Sequence, residues 1–475
     1  MSDLHELSAT EQLRALRARE ISACDLTTHY LDRIESLDGE LGAFTTVTRD
    51  LALAEAARAD ARLADGESAP LLGLPIAFKD YPTAGVRTTL GSAALANLVP
   101  PVDGWTIGLL RQAGAVHLGK TNTAEFGATC FTENEITGQR AVTPYDPTRY
   151  SSGSSGGSAT AVAAGLAPVA HAADGAGSTR TPAATCHLVG VKPSRGLVSP
   201  AAPSSSLAPT TIEGPITRNV ADAALLLDVM AQPWRGDPTG WRHDGSFAEA
   251  IEQSPDRPLR VAMWTETGLD GVDPHPQAVE AVARAAAALR DAGHEVTEVA
   301  LPAPYAEPVR DALERWFAAM VHASVAPLIP VEQHDLLLPY TRLLYATGAT
   351  LSSLDILMAQ AVLARFADAF LAALDGFDLS LTPTTSGPPA PIGHFLTDGA
   401  EGVADAMLAW SCYTPWANLT GQPAVSLPSH LDEAGLPYAV QLVGRPRRDG
   451  ELLAVAAQLE RAGLWDEIHP PCWDR

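Results

Sequence analysis

Three side chains in this sequence have the types that nucleophilic catalysis requires. Residues 151–158 read SSGSSGGS, with five serines and three glycines in eight positions. Ser178 lies in a second glycine-rich turn, DGAGSTR, 24 positions after Ser154. Lys79 ends the apolar run GLPIAFK. A serine attacks an acyl carbon only when a base takes its proton, and a lysine that has lost its own proton can be that base.

Lysine is scarce in this chain. Of the 32 basic residues, 29 are arginines and three are lysines, at positions 79, 120 and 192. Arginine stays protonated at any ordinary pH, whereas a buried lysine can become neutral and accept a proton. Each retained lysine is therefore a candidate base, although chance or packing is the more common explanation for any one of them. The family resemblance described below implies that Lys120 and Lys192 are structural.

The serine-rich stretch also has the composition of a flexible linker. A linker, however, predicts nothing about Lys79 or about a second glycine–serine turn. It also does not explain the apolar residues that follow at once, ATAVAAGLAPVAHA, which are typical of a buried helix and strand. We therefore favour a catalytic loop over a linker.

Two familiar motifs match this part of the chain, and their surroundings argue against both. Residues 114–121, GAVHLGKT, fit the P-loop pattern, but a P-loop follows a strand, and here a helical pattern precedes a motif that itself resembles a strand. Residues 153–157, GSSGG, fit the G-x-S-x-G elbow with Ser155 as nucleophile. That elbow requires a hydrophobic strand directly upstream, whereas VTPYDPTRYS contains two prolines and shows no strand character.

The elements that would position these side chains alternate between strands and helices. Apolar runs predict a strand ending at Lys79, a helix over TIGLLRQAG and a strand over AVHLGK. Residues 259–301 fit a strand–helix–strand unit, and residues 302–375 are helical in pattern with many large apolar groups. This alternation predicts an α/β fold with a central mixed β-sheet covered by helices on both faces.

We expect one domain over residues 1–475. Its core would comprise residues 60–230 and 376–475. A turn-rich stretch near residue 235, QPWRGDPTG, marks the start of a more variable region at about 233–375. The helices in that region would shape an apolar substrate pocket.

Composition narrows the classes of function. A net charge of −24 repels nucleic acid and anionic membranes, so a small-molecule partner is favoured. Five scattered cysteines without a CxxC pair indicate neither a disulfide framework nor a zinc site. The start, MSDLHELSAT, lacks the features of a signal peptide, and no apolar stretch reaches the roughly 18 residues of a membrane span. We expect a cytoplasmic protein without metal or cofactor.

Nearly the whole chain resembles the amidase signature family. The resemblance is carried by a series of motifs in the family's order: GLPIAFKD, GKTNTAEFGATCFTEN, GSSGGSATAVAAG, DGAGSTRTPA, GVKPSRGLVS, GPITRNVADAALLLDVM, LTPTT and NLTGQPAVSLP. It implies an amidase with a Ser–Ser–Lys triad, in which Ser178 attacks the amide carbonyl and forms an acyl-enzyme. Ser154, held by a cis peptide bond in the family, would relay the proton to Lys79.

The resemblance also implies supporting residues. The backbone N–H groups of Gly175, Ala176, Gly177 and Ser178 would form the oxyanion hole. Asp174 and Arg180 flank this turn, and either hold it as a pair or form a plain surface ion pair. By analogy with fatty acid amide hydrolase, Gly127 and Thr129 would line the acyl site.

Three positions depart from the family's usual pattern, and a fourth distinguishes between branches of the family. Ala176 replaces a glycine of the oxyanion turn, so its φ is negative or the turn is altered. Tyr81 replaces an asparagine, and Ser152 replaces a glycine. The glutamine-hydrolysing subunits of tRNA-dependent amidotransferases carry an acidic residue seven positions before Asn418, where this chain has Ser411.

These features favour a free-standing amidase, similar to the branch that contains nylon cyclic-dimer hydrolases, acting on a small apolar or aromatic amide. Three alternatives remain open. Two of them are an acyl-transferring or deacylating amidase of secondary metabolism, and the glutamine-hydrolysing subunit of a tRNA-dependent amidotransferase. The third alternative is a non-catalytic binding protein on the same fold. We expect a free-standing amidase to be a monomer or a homodimer, whereas an amidotransferase subunit would co-purify with partner chains.

Overall fold

The structure, a computed structural model, describes residues 3–199 and 210–475. The strands are β1 (Phe44–Val47), β2 (Pro75–Lys79), β3 (Val116–Thr121), β4 (Val142–Thr143), β5 (Asp146–Tyr150), β6 (Val169–Asp174), β7 (Val189–Lys192), β8 (Ile212–Thr217), β9 (Arg260–Met263), β10 (Glu295–Glu298), β11 (Leu379–Pro383), β12 (Ala424–Leu431) and β13 (Pro437–Gly444).

The α-helices are α1 (Ala9–Ala18), α2 (Ala23–Leu41), α3 (Arg49–Ala64), α4 (Trp105–Gln112), α5 (Gly156–Ala163), α6 (Arg180–Thr185), α7 (Val220–Met230), α8 (Phe247–Ala250), α9 (Pro276–Asp291), α10 (Glu307–Val325), α11 (Pro339–Thr350), α12 (Ser353–Ala373), α13 (Gly399–Ser411), α14 (Pro415–Thr420) and α15 (Asp449–Arg461). Short 3-10 turns cover Ala93–Leu95, Glu125–Gly127, Val331–Leu336 and His394–Leu396.

Eleven of the described strands form one mixed sheet, in the order β1-β3-β2-β6-β8-β7-β12-β13-β11-β9-β10. Helices flank it: α5 packs on β2 and β6, α6 on β7, β12 and β13, and α9 on β11 and β13. The predicted mixed α/β fold is therefore confirmed.

The centre of the sheet positions the candidate site. Strand β2 lies between β3 and β6 and is parallel to both, and all five of its residues are buried, as its continuous apolar run requires. Because β2 and β6 are parallel, Lys79 and Asp174 end their strands at the same edge of the sheet. That edge, beyond the carboxyl ends of the strands, is where open α/β sheets bind ligands.

The region predicted to be variable contributes to both the sheet and a helical layer. The predicted strand–helix–strand unit forms as β9, α9 and β10, with β9 and β10 parallel and joined to the sheet through β11. Residues 302–375 form α10, α11 and α12 as predicted, and α10 packs against both of the others. How this region divides from the core remains a prediction.

One described helix, Ser353–Ala373, is long and apolar enough to cross a membrane by length and composition. The prediction that no stretch reaches this limit is therefore wrong. The helix begins at a capping box formed by Ser352 and Asp355. Its buried residues, which include Phe366 and Phe370, pack in a cluster with Trp316 of α10. About 28% of its most apolar window is buried, and Leu354, Leu357 and Met358 are exposed. The helix therefore packs along one face against α10 and leaves apolar side chains on the other face.

Candidate active site

The serine-rich stretch is a packed part of the protein interior. All of residues 151–158 are buried, and α5 begins within them at Gly156. A Cβ at Gly153 would lie 2.7 Å from Phe131 N, and a Cβ at Gly157 would lie 2.4 Å from Ala43 O. The glycines are therefore required by close backbone packing, and the linker interpretation is wrong.

Lys79 lies at the end of β2 with 1% of its surface exposed. Its Nζ is 2.7 Å from Ser154 Oγ, 2.8 Å from Ser155 Oγ and 3.4 Å from the carbonyl oxygen of Ala173. Burial lowers the pKa of Lys79 from its ordinary 10.5 to about 7, against the charges of Asp174 and Glu213. The amine is thus positioned, and partly neutral near pH 7, so that it can take a proton from a serine hydroxyl.

Burial alone does not distinguish Lys79 from the other two lysines. Burial also lowers the pKa values of Lys120 and Lys192 to about 7. However, Lys120 Nζ donates to the carbonyl of Tyr81 and to the hydroxyl of Thr83. Lys192 Nζ donates to the carbonyl of Pro193 at 3.0 Å. Of the three lysines, only Lys79 donates hydrogen bonds to side chains of the serine-rich stretch, those of Ser154 and Ser155.

Ser154 lies between Lys79 and the second glycine–serine turn. The Gly153–Ser154 peptide bond is cis, as the family resemblance implies. The carbonyl of Ser154 accepts hydrogen bonds from Thr123 Oγ1 at 2.7 Å and Ala124 N at 3.2 Å. These bonds hold the backbone of Ser154, whose hydroxyl lies 2.7 Å from Lys79 Nζ.

Ser178 lies in the turn between β6 and α6 and is partly exposed. Its carbonyl accepts a hydrogen bond from Ser155 N at 3.2 Å, which joins the two serine turns. The Ser178 hydroxyl makes no hydrogen bond to any described residue, so the chain from Lys79 to Ser154 does not extend to Ser178 in this conformation. Catalytic hydrogen bonds are often open without substrate and close in the complex.

The predicted oxyanion turn is present, but one of its four N–H groups is occupied. Gly177 N donates to Asp174 Oδ1 at 2.7 Å, whereas the N–H groups of Gly175, Ala176 and Ser178 have no acceptor among the described residues. Including Gly177 in the donor set is therefore wrong for this conformation. Its φ of +132° and a Cβ position only 2.2 Å from Thr414 Oγ1 make glycine necessary there instead.

Ala176 fits the turn without strain. It is not among the residues with positive φ, so its φ is negative, as one of the two sequence-based alternatives predicts. Its carbonyl accepts a hydrogen bond from Thr414 Oγ1 at 2.6 Å. Ser152, the other glycine replacement, does adopt a positive φ of 65° and bonds Cys130 O through its hydroxyl.

Asp174 and Arg180 form a fully buried pair, so the surface ion pair alternative is wrong. The two side chains share hydrogen bonds of 2.9 and 2.8 Å. Burial opposes the charge on Asp174, but the Arg180 guanidinium more than offsets this and holds the pKa of the carboxyl well below its usual range. Arg180 also donates to Thr414 O, Asn418 Oδ1 and Gln441 Oε1.

The two residues predicted to line the acyl site lie differently. Gly127 has a φ of +69°, and a Cβ there would lie 3.4 Å from Ser154 Oγ, so its backbone faces the candidate site. Thr129 is partly exposed, and its hydroxyl donates to Phe131 O at 2.7 Å. Among the described residues, Thr129 makes no hydrogen bond with the candidate catalytic side chains, so its place at the acyl site stays a prediction.

Sequence reasoning missed three residues at this site. Ser155 shares Lys79 Nζ with Ser154, and Thr414 and Asn418 hold the turn before Ser178. Asn418 Nδ2 donates to the backbone carbonyl of Asp174 at 2.9 Å. The adjacent Ser154 gives a sequence signal for Ser155, whereas Thr414 lies 236 positions after Ser178 with no motif to mark it.

Neither of the two familiar motifs forms its usual site. Residues 114–121 are largely strand β3 itself, preceded by α4, so there is no phosphate-binding loop, as predicted. The prediction that the residues before Ser155 lack strand character is wrong, because β4 and β5 form a short hairpin there. That hairpin lies outside the main sheet, and Ser155 Oγ is bonded to Lys79 and Ala173. Within the described residues, no cluster of three metal-ligating side chains occurs.

Comparison with known proteins agrees with this geometry. The chain is 38% identical to the putative amidase AmiB2 of Mycobacterium tuberculosis over 471 residues, covering 99% of both chains. It is 34% identical to one subunit of the glutamyl-tRNA(Gln) amidotransferase of a Picosynechococcus species, covering 96% of this chain and 98% of the other.

Among solved structures, 6-aminohexanoate cyclic dimer hydrolase superposes with a TM-score of 0.90 at 29% identity, covering 99% of this chain and all of the other. The Amidase family model matches residues 25–453. The chain therefore belongs to the amidase signature family and is an enzyme that hydrolyses amides.

Proposed function

We propose that this enzyme cleaves the C–N bond of a small carboxamide through Ser178, Ser154 and Lys79. The observation that carries the proposal is the buried Lys79 amine, 2.7 Å from Ser154 Oγ and next to the turn that bears Ser178. Neutral Lys79 takes the Ser154 proton while Ser154 takes the Ser178 proton, and Ser178 Oγ bonds to the carbonyl carbon.

The remaining steps follow from proton balance. The proton held by Lys79 returns through Ser154 to the leaving nitrogen as the C–N bond breaks, which releases an amine and leaves Ser178 acylated. Water then enters by the same route and bonds to the acyl carbon while its proton passes through Ser154 to Lys79. That proton returns through Ser154 to Ser178 Oγ as the ester C–O bond breaks, which releases the carboxylic acid and restores neutral Lys79. The N–H groups of Gly175, Ala176 and Ser178 are the available donors for the oxyanion in both steps.

The open link between the two serines is compatible with this mechanism. The Ser178 hydroxyl has no competing partner among the described residues, so rotation about χ1 towards Ser154 breaks no hydrogen bond. The backbone bond from Ser155 N to Ser178 O keeps the two turns together. Substrate carbonyl binding would then close the relay.

The surroundings favour an apolar or aromatic acyl group. Gly127, beside Ser154, adjoins a cluster that includes Phe131, Tyr340 and Phe395. On the other side of the turn, Thr414 follows Tyr413, which belongs to a second cluster with Trp316. Helix α10 contributes to both clusters, so the α10–α12 layer would shape the pocket.

The amidotransferase alternative is favoured by the 34% identical amidotransferase relative, but Ser411 argues against it. The Ser411 hydroxyl donates to Met407 O in its own helix at 2.7 Å, so no carboxylate at this position is present to hold the amino group of glutamine. Whether water or an amine resolves the acyl-enzyme depends on the substrate, and we propose water.

Labelling with a fluorophosphonate tests the proposal. We expect one equivalent of label on the peptide that contains Ser178, none on the Ser178→Ala protein, and strongly reduced labelling of Ser154→Ala and Lys79→Ala. Ser254→Ala, at an exposed serine, is the matched control and should label normally. Labelling of a different serine, or a folded protein that no fluorophosphonate or activated ester acylates, would contradict the proposal. An amide library containing glutamine then separates a free-standing amidase from an amidotransferase.

A further inference from the structure

A cavity lies on the same edge of the sheet as the candidate site but away from the candidate catalytic residues. Its volume is about 290 Å³, and it opens where β9 and β11 begin and β13 ends. Strand β13 runs in the same direction as β6 but is four strands further along the sheet. Strand spacing therefore places the cavity on the order of 19 Å from β6. None of the residues that line it belongs to the site described above.

The charges around this cavity favour an anion. Arg257, Arg260 and Arg445 line it together with Asp375 and Asp378, and Arg445 is also paired with Glu451 at 3.2 Å. The positive charge that these carboxylates leave without a direct partner is that of Arg260, which is notable in a chain whose net charge is −24. An anion binds where the local charge is positive, even on a protein that is acidic as a whole.

Asp378 does not neutralise all three arginines. This carboxylate is 3% exposed and accepts hydrogen bonds of 2.8 and 2.6 Å from Arg257, and it lies 3.1 Å from Arg445 Nη1. It also accepts from the backbone N–H of Arg260. The Arg260 guanidinium itself makes no ion pair or hydrogen bond with a described residue, so its charge is available to a ligand.

Three polar atoms on the cavity wall also lack partners among the described residues. Arg445 Nε and Gln422 Oε1 are buried without a hydrogen bond. The Ser380 hydroxyl, on a residue that is 2% exposed, likewise has no partner. Gln422 Nε2 donates to Gly444 O at 2.8 Å, which fixes the amide orientation and leaves Oε1 as an acceptor without a donor. Buried polar atoms without partners are rare because each is costly.

These groups define the chemistry of a ligand. The Arg260 guanidinium favours an anion, and carboxylates match guanidinium geometry. Arg445 pairs with Asp378 and Glu451 through its terminal nitrogens and adds one donor, Nε. Gln422 Oε1 requires a hydrogen-bond donor on the same molecule. The cavity volume is at the small end of the range for ligand sites, about 300–1,000 Å³. We infer that this cavity binds a small carboxylate that also carries a hydroxyl or amino group.

Three four-carbon dicarboxylates test the inference, because they differ in one substituent. Succinate has no donor, malate adds a hydroxyl, and aspartate adds an ammonium group. Isothermal titration at pH 7 and constant ionic strength should show malate and aspartate binding at least about tenfold more tightly than succinate, which corresponds to about 1.4 kcal/mol. The titration is repeated on enzyme labelled at the candidate nucleophile, where binding should be unchanged.

Substitutions of residues that line the cavity show how much each contributes to ligand affinity. Arg260→Gln, at an exposed position, should weaken all three ligands at least tenfold without loss of amide hydrolysis. Gln422→Leu should remove the preference for malate over succinate while succinate affinity stays within twofold. Arg14→Gln removes the same charge from exposed α1 and should change nothing. Because Gln422 is buried, folding of that variant is checked by circular dichroism, and the Arg260 result does not depend on it.

Four outcomes would overturn the inference. They are no binding of any dicarboxylate at 10 mM or so, equal affinity for all three, unchanged affinity in Arg260→Gln, and loss of binding after labelling. The last would assign the ligand to the candidate catalytic site. Failure of labelling itself would count against the proposed mechanism and leaves the titration of unlabelled enzyme to decide on the cavity.

Discussion

The protonation of Lys79 sets how much of the enzyme can start the reaction. Only the neutral amine accepts a proton, and the pKa of Lys79 is about 7. The neutral fraction is then roughly 3% at pH 5.5 and roughly 90% at pH 8. We therefore expect kcat/KM to rise about 30-fold over this interval and to level off above it. A lysine with an ordinary pKa would still be gaining activity tenfold per unit at pH 9.

The same side chain carries a stability cost with a definite sign. Its folded pKa of about 7 lies below the ordinary value of 10.5, so between these two pH values the unfolded chain binds more protons. Stability should therefore rise with pH across this window. At pH 7 this shift lowers the free energy of unfolding by on the order of 4 kcal/mol. The hydrogen bonds from Lys79 to Ser154 and Ser155 offset part of that cost.

Substitution of Lys79 by methionine tests both parts. We expect kcat/KM to fall about 10²–10⁴-fold, with residual activity that increases with hydroxide concentration. The variant should also be more stable than the parent at pH 7, with an advantage that shrinks as the pH approaches 10.5. The assays are hydrolysis of a chromogenic anilide well below KM, in buffers of constant ionic strength, and urea denaturation followed by circular dichroism.

Lys120→Met is the matched control, because burial lowers the pKa of Lys120 to the same value of about 7. In this variant kcat/KM should still rise between pH 5.5 and pH 8. A parent profile that is flat from pH 5.5 to 8, or that still rises tenfold per unit at pH 9, would refute the role of Lys79 as a base of lowered pKa. Loss of this rise in Lys120→Met would assign it to the other lysine.

Three further predictions follow from the packing around the site. Arg180→Met should cost about 3–5 kcal/mol of unfolding free energy, measured in urea, because it leaves the Asp174 charge buried without its partner; a cost below 1 kcal/mol would contradict this. Thr414→Val should lower kcat up to about tenfold with KM unchanged, since it removes a hydrogen bond that holds the candidate oxyanion turn; a change confined to KM would count against it. Gly157→Ala should prevent folding, because a Cβ there would lie 2.4 Å from a backbone oxygen. The control Gly39→Ala lies in α2, where a Cβ would have no atom within 4 Å, and should increase the free energy of unfolding by about 0.5–1 kcal/mol. Equal expression and thermal stability of the two variants would exclude the steric argument.

Local patterns in the sequence were sufficient for the sheet around Lys79. The buried run before it, and the alternation of strands with helices after it, predict the strand positions because apolar periodicity reflects burial directly. The serine-rich stretch was assigned to a site for a different reason. Its glycines are explained by packing against Ala43 and Phe131, which no local pattern reveals, and the family resemblance supplied the interpretation.

Long-range contacts could not be predicted in this way. The occupied N–H of Gly177 depends on the orientation of the Asp174 carboxylate, which Arg180 and Asn418 determine from distant parts of the chain. Likewise, the hairpin before Ser155 forms despite two prolines, because strands at an edge tolerate proline. The sequence analysis also missed that Ser353–Ala373 is one long apolar helix. Its buried residues are those that pack against α10.

The hydrogen bonds that Arg180 donates have a consequence for biosynthesis. All three candidate catalytic side chains have been synthesised once residue 178 is added, but three of the acceptors of Arg180 lie 234, 238 and 261 positions beyond it. At ordinary elongation rates the nascent chain would carry its nucleophile for on the order of half a minute before Gln441 emerges. Truncated translation products should therefore hold the reactive groups in an unassembled turn, so that hydrolytic competence arrives only with a nearly finished polypeptide.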